Sequence, residues 1–200
     1  MTDLQLQQEA KIFLQNLRTE TSEAHESLEA HPVSKAIAAD HITADSYIRY
    51  LQIMERVVQG MESALEPRLE AHVADIRDRS KTDWIAADLV ALNAGANPFP
   101  AFAELEERPE TGRAFGAYYV LEGSALGGRV ILKQLPQELR ESGNRTRYFE
   151  GYGKQTGPMW QRFLGDFSTY VLTSKEEGQA IEGARDAFSA IQHYFNRCHS

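Results

Sequence analysis

Apolar residues recur along this chain at steps of three and four, and prolines break the pattern at intervals. Leu14, Leu17, Thr21, His25 and Leu28 form one run, closed by Pro32. A second starts near Asp45, a residue suited to capping a helix N-terminus, and carries Ile48, Leu51, Met54, Val58, Met61 and Leu65 up to Pro67. A third extends from about Asp83 through Trp84, Leu89 and Leu92 to Gly95. Strand-like alternation is nearly absent, so the pattern predicts helices. NPFP, residues 97–100, reads as a turn, and a short acidic segment follows to Pro109. The next helix is expected over roughly Glu110 to Leu135, before Pro136. A loop rich in glycine and charge covers about Gly143 to Gly157, and a helix starts near Pro158. The last helix presents Ile181, Ala184, Phe188, Ile191 and Phe195 on one face, with Ser174 and Glu177 as its capping box. No repeat or linker divides the chain. The reading is an all-α, single-domain bundle of roughly six to eight helices over residues 1–200, with its core at about 11–196.

Composition narrows the chemistry. With 21 basic against 29 acidic residues the net charge is −8, which offers no nucleic-acid footprint. The only cysteine is Cys198, expected in a frayed tail, so intrachain disulfides and cysteine-built zinc or iron–sulfur sites are excluded. The N-terminal stretch MTDLQLQQEAKIFLQNL is too polar for a signal peptide, and no run approaches the ~18 apolar residues of a membrane span. A cytoplasmic monomer that crosses no membrane is the expectation. None of the six histidines has a glutamate three residues before it, which removes the Glu-x-x-His pairs of a di-iron bundle. HExxH, GxSxG and P-loop patterns are absent as well.

Two features call for a ligand. YYVLEGSALGGRVI, residues 118–131, reads as the middle of a buried helix, yet holds Gly123, Gly127 and Gly128. Each glycine inside a helix costs about 1 kcal/mol relative to alanine. With Gly116, the first two mark a bare stripe at steps of seven and four. Close helix packing explains such a stripe, and so does a flat ligand laid across it. His25 is the second feature, placed on the apolar stripe of the first helix. It is either a core histidine with satisfied nitrogens or a neutral imidazole ligating a metal or haem iron. Arg18, almost two turns earlier and about 10 Å away, suits pairing with a haem propionate, or is a solvated surface arginine. Glu29, one turn after His25, is placed to orient the imidazole through a hydrogen bond.

LRTETSEAHESLE, residues 17–29, resembles the proximal helix of haem oxygenases, and GAYYVLEGSALGGRVI, residues 116–131, resembles their distal helix, most closely in bacterial members. Order and spacing agree from about Lys11 to Phe195. The resemblance implies that His25 is the iron ligand and that Gly123 and Gly127 bring backbone to the haem face, with Gly128 beside them. It implies propionate contact for Arg18, haem-edge contacts for Tyr118 and Arg162, and a pocket wall at Phe188. Ser124 stands where many members carry an aspartate that organises distal water, although some bacterial members share the serine. A hydroxyl keeps hydrogen bonding there but lacks the carboxylate's charge.

The implied activity is oxidative cleavage of haem, both substrate and cofactor, to biliverdin, carbon monoxide and free iron. It uses dioxygen and electrons from a donor such as a ferredoxin or a flavin reductase. A cation at Arg18 resembles members that open the α edge, with Lys133 and Arg162 competing for the same propionates. Alternative readings are a haem carrier of the same fold that does not degrade its ligand, and an interaction domain whose glycines merely pack helices. A thiaminase-like hydrolase would need a positioned cysteine nucleophile.

Overall fold

The computed structural model describes residues 3–39, 42–141 and 145–199, and every regular element among them is helical. α1 (Asp3–Glu29) and the short α2 (Pro32–Ile37) lead to α3 (Ala44–Leu69) and α4 (Thr82–Ala91). α5 (Thr111–Gln134) is followed by α6 (Gln137–Glu141) and α7 (Arg147–Glu150), then α8 (Thr156–Ser174) and α9 (Glu177–His199). Short 3-10 turns lie at Ile76–Arg79 and Gly153–Gln155. No helix among the described residues is long and apolar enough to cross a membrane.

Several helix ends differ from expectation, each for a local reason. Thr43, not Asp45, caps α3: its Oγ1 accepts from the Ser46 amide at 3.1 Å, and Ser46 Oγ accepts in return from the Thr43 amide at 3.1 Å. Asp45 instead sits in the first turn, where its charge favours the positive end of the helix. α3 runs past Pro67 to Leu69, because the carbonyl that the proline leaves unpaired belongs to exposed Ser63 and stays in water. The Ser174–Glu177 box does not form. Ser174 belongs to α8 and donates back to the Tyr170 carbonyl at 2.9 Å, while Lys175 ends that helix at φ 60°. Within the expected 143–157 loop, 143 and 144 lie outside the described residues. α7 forms in the remainder because the Asp88 carboxylate, on α4, accepts from the Arg147 and Tyr148 amides at 2.9 and 3.0 Å. Cys198 is no frayed thiol but a buried residue of α9, 4% exposed.

α5 runs through the middle, packed on α3, α7, α8 and α9. Its Phe115 stacks on Phe167 of α8 at 5.3 Å and 4°, and Phe13 of α1 meets the same ring edge-on at 5.3 Å. Each such ring contributes roughly 1.5–3 kcal/mol by leaving water. α1 and α5 are packed on the same two neighbours, α8 and α9. The two ligand-suggesting helices thus share their supports.

Candidate functional site

The glycines of α5 separate into two groups. A Cβ at Gly116 would run into the Ala180 carbonyl of α9 and lie 2.9 Å from the Ala184 nitrogen. Gly183 of α9 answers it, since a Cβ there would lie 2.6 Å from the Arg113 Cα. Gly116 is therefore a packing residue, and the stripe divides at this crossing. Farther along, among the described residues beyond the helix itself, a Cβ at Gly123 would meet only the edge of the Trp160 indole, at 3.6 Å, and one at Gly127 would meet nothing within 4 Å. At about 100° per residue, Leu126 and Val130 share that side of the helix. They are 40% and 59% exposed. The C-terminal half of α5 thus keeps an apolar, side-chain-poor face open.

Not every residue assigned to that face is on it. Gly128 is buried against Phe149 of α7, where a Cβ would come within 3.2 Å of the ring. The Tyr118 side chain is fully buried, its ring is 5.5 Å from Phe163, and its hydroxyl has no hydrogen-bond partner among the described residues. Its place on the helix is one turn before Glu122, on the flank that faces the core. Burial raises the Tyr118 hydroxyl pKa well above the ordinary range. Ser124 is half-buried, and its hydroxyl donates to the Leu121 carbonyl at 2.6 Å.

On α1, His25 is not a core histidine, because 56% of its side chain is exposed. Its ring meets Phe188 of α9 edge-on at 5.7 Å, and its Nδ1 lies 3.7 Å from the Glu29 carboxylate. That separation is too long for a hydrogen bond but holds the anion on the Nδ1 side. Phe188 itself is 6% exposed, so it gives His25 a fixed wall.

A groove of about 920 Å³ runs between α1 and α8 with Leu6, Ala10, Leu14 and Leu164 as its apolar lining, and Lys11 and Arg18 beside them. The exposed Arg18 side chain has no carboxylate partner among the described residues. Arg162 does not join it. Its guanidinium points off another side of α8 and bonds Asp75 at 3.1 Å, whereas the preceding Gln161 lines the groove. α8 therefore serves both regions, with Trp160 at the glycine face and Gln161 in the groove.

Behind the open face lies an ionic cluster that pattern reading missed. Arg79, Lys81 and Glu122 are 0%, 1% and 1% exposed. Arg79 and Lys81 each donate to one Glu122 oxygen, at 2.6 and 2.7 Å, and the Tyr152 hydroxyl donates to the same carboxylate at 2.9 Å. Glu62 closes the edge of the cluster by accepting from the Lys81 amide at 2.5 Å and the Thr82 hydroxyl at 2.6 Å. Burial works to raise the Asp75 carboxyl, but hydrogen bonds from Arg79 and Arg162 outweigh it and hold the group below the usual range. Burial, then the Glu122 charge, pushes the Tyr152 hydroxyl up. One signal was available: Glu122 is the only charge between Arg113 and Arg129, and a carboxylate in so apolar a stretch requires buried partners.

The donor set fits one kind of iron centre. Among the described residues, no three His, Cys, Asp or Glu side chains converge to hold a metal ion. An exposed imidazole on α1 and an apolar, side-chain-poor face on α5 are features that fit a metal whose remaining ligands come from a flat macrocycle.

The family described as Heme oxygenase matches residues 11–197. A heme oxygenase of Xanthomonas campestris is 29% identical over 168 residues, 82% of this chain and 94% of that protein. The heme oxygenase PigA of Pseudomonas aeruginosa is 27% identical over 184 residues, 88% of this chain and 89% of the other. Among solved structures, the NO- and CO-bound heme oxygenase of Neisseria meningitidis superposes with a TM-score of 0.75 at 22% identity, over 93% of this chain and 91% of its own. That of Leptospira interrogans gives 0.68 at 16%, over 92% and 98%. The two structural likenesses are likenesses of fold.

Proposed function

The chain belongs to the haem oxygenase family, and on that premise we propose that it cleaves haem to biliverdin, carbon monoxide and free iron. The reaction takes dioxygen and the electrons of an external donor, a ferredoxin or a flavin reductase. One observation carries the reading above all. The half of α5 that holds Gly123 and Gly127 has room for a flat molecule at the second glycine and only an indole edge at the first.

Haem supplies the iron at which oxygen is activated and the ring carbon that is oxidised. The protein's part is to seat it. His25 would hold the iron, while Glu29 keeps the Nδ1 side of its ring under negative charge and Phe188 restricts its rotation. Gly123 and Gly127 would keep side chains away from the bound ring, so that a small molecule such as dioxygen could reach it. Arg18 pairs with a propionate from the rim of the α1–α8 groove and favours the seating that exposes the α edge. Ser124 donates its hydroxyl proton to the Leu121 carbonyl and shares a side-chain hydrogen bond with Tyr148, which fixes its hydroxyl beside Gly123.

The test is a single turnover. Ferric haem is added to the purified protein, then a reductant in air with catalase present. Loss of the haem band with formation of biliverdin is the expected result, and chromatography of the product reads the edge opened. A histidine-ligated haem that persists would make the protein a carrier, and absence of binding would overturn the reading. His25→Ala is expected to abolish the histidine-ligated spectrum.

A further inference from the structure

Arg79 is the largest fully buried side chain among the described residues. Its guanidinium donates to the Asp75 carboxylate at 2.8 and 3.0 Å, to Glu122 on α5 at 2.6 Å and to the Met159 carbonyl on α8 at 3.1 Å. Two of these acceptors are immediate neighbours of the open face. Glu122 precedes Gly123, and Met159 precedes Trp160. Among the described residues beyond its own helix turn, the Trp160 indole is in turn the only group within 4 Å of the space that a Gly123 side chain would take. One buried cation therefore holds both sides of the Gly123–Trp160 contact.

The rest of the indole's surroundings are softer. Trp160 leans on Tyr119 at 5.2 Å and 42° and on Phe163 at 6.1 Å, and it is half-buried. Ring contacts of this kind tolerate sliding, whereas a guanidinium bonded to three acceptors does not. Buried ion clusters add little net stability over a well-packed apolar core of the same volume, so their retention argues for fixed geometry. In this molecule the geometry being fixed is the distance between α5 and α8 at the edge of the open face.

We propose that Arg79 is a positioning residue that sets Trp160 against Gly123, and that Trp160 is the aromatic wall which fixes the width of the slot for a planar tetrapyrrole. This rests on the haem reading above, and it adds two residues that the sequence did not single out. Arg79 acts only through the indole and touches no ligand.

The chain has two tryptophans, so Trp84→Phe leaves Trp160 as the sole indole reporter. In that background Arg79→Lys keeps the buried charge but cannot reach Glu122 and Met159 together. Without haem, its Trp160 emission is expected to shift red and become more open to acrylamide quenching. Haem titrations then compare Arg79→Lys, Trp160→Phe and the double variant. Each single change is expected to weaken haem binding about tenfold, with the double variant no weaker than Trp160→Phe alone. A purely structural Arg79 would lower the melting temperature and leave the indole emission and this non-additivity absent. If Arg79→Lys does not fold, Asp75→Asn loosens the guanidinium without removing its Glu122 bond and puts the same coupling to the test. Additive losses, or an unmoved emission spectrum, would overturn the positioning role while the haem reading stands. A parent protein that binds no haem would overturn the haem reading and the slot with it.

Discussion

The two halves of α5 carry the same residue type for opposite reasons. In the first half, Gly116 lies against the Ala180 backbone and Gly183 of α9 against the Arg113 backbone, so two helix backbones touch and the cost of glycine in a helix is offset by the packing of α5 on α9. In the second half, Gly123 and Gly127 bring no backbone closer: one faces a ring edge and the other open space. No contact within the described fold compensates their cost of about 1 kcal/mol each. On the haem reading proposed above, a glycine that stabilises nothing in the protein answers to a partner from outside it. The contrast teaches that a glycine stripe has no single meaning, and that what stands opposite each position decides it.

Alanine scanning breaks the comparison most directly. Gly116→Ala is expected to have the largest effect, because the carbonyl it would strike is backbone and cannot rotate away. A loss of about 3 kcal/mol or more is expected, read as a fall of roughly 6–12 °C in melting temperature. Gly183→Ala should behave alike. Gly127→Ala should do the reverse, raising stability by up to about 1 kcal/mol through helix propensity. It should also slow biliverdin formation about tenfold or more and divert turnover toward peroxidase-like oxidation. A destabilised Gly127→Ala with unchanged turnover would erase the distinction between the halves. Gly123→Ala falls between them: its Cβ makes an ordinary contact with Trp160, so stability should stay within about 1 kcal/mol while turnover drops.

How much of this was legible in sequence follows the same division. The all-α class and the limits of α5 could be read because period and proline placement are local. The meaning of Gly116 could not, since it depends on the backbone of Ala180 and Ala184, far along the chain, which meets it only after folding. Tyr118 was assigned to the haem edge from its motif position. Its helical position turns it into the core instead, toward Phe163 and Lys81. The resemblance implies a haem-edge contact for Arg162, but one step along α8 from Gln161 carries its side chain off the groove to Asp75. His25 was placed on the apolar stripe, and its half-exposed ring with Phe188 as its wall could be settled only once α9 was in position. The Arg79–Glu122–Lys81 cluster escaped notice because its members come from distant segments, although the stray charge of Glu122 within an apolar stretch was the clue.

The smallest effect tests the packed flank of α5. Glu66 of α3 has a buried carboxylate oxygen without a partner, and Tyr118 has an unpartnered hydroxyl. Burial, followed by repulsion from Glu62 and against attraction from Lys81, raises the Glu66 carboxyl to about 7. In the unfolded chain a glutamate titrates near 4.3. Between those values the folded protein keeps a proton that the unfolded chain has lost, so stability falls as pH rises through that window. Above about pH 7 the loss is complete. The side chain is partly open to water, which reduces the effect to the order of 1 kcal/mol. Glu66→Gln should therefore flatten the stability profile between about pH 4.5 and 7 and leave the protein more stable than the parent at pH 8, by urea unfolding. Because Glu66 lies behind the packed flank, its replacement should leave haem affinity at pH 8 unchanged. A parent and variant with parallel pH profiles would remove Glu66 as the source, and a changed haem affinity would mean that the packed and open sides of α5 are not independent.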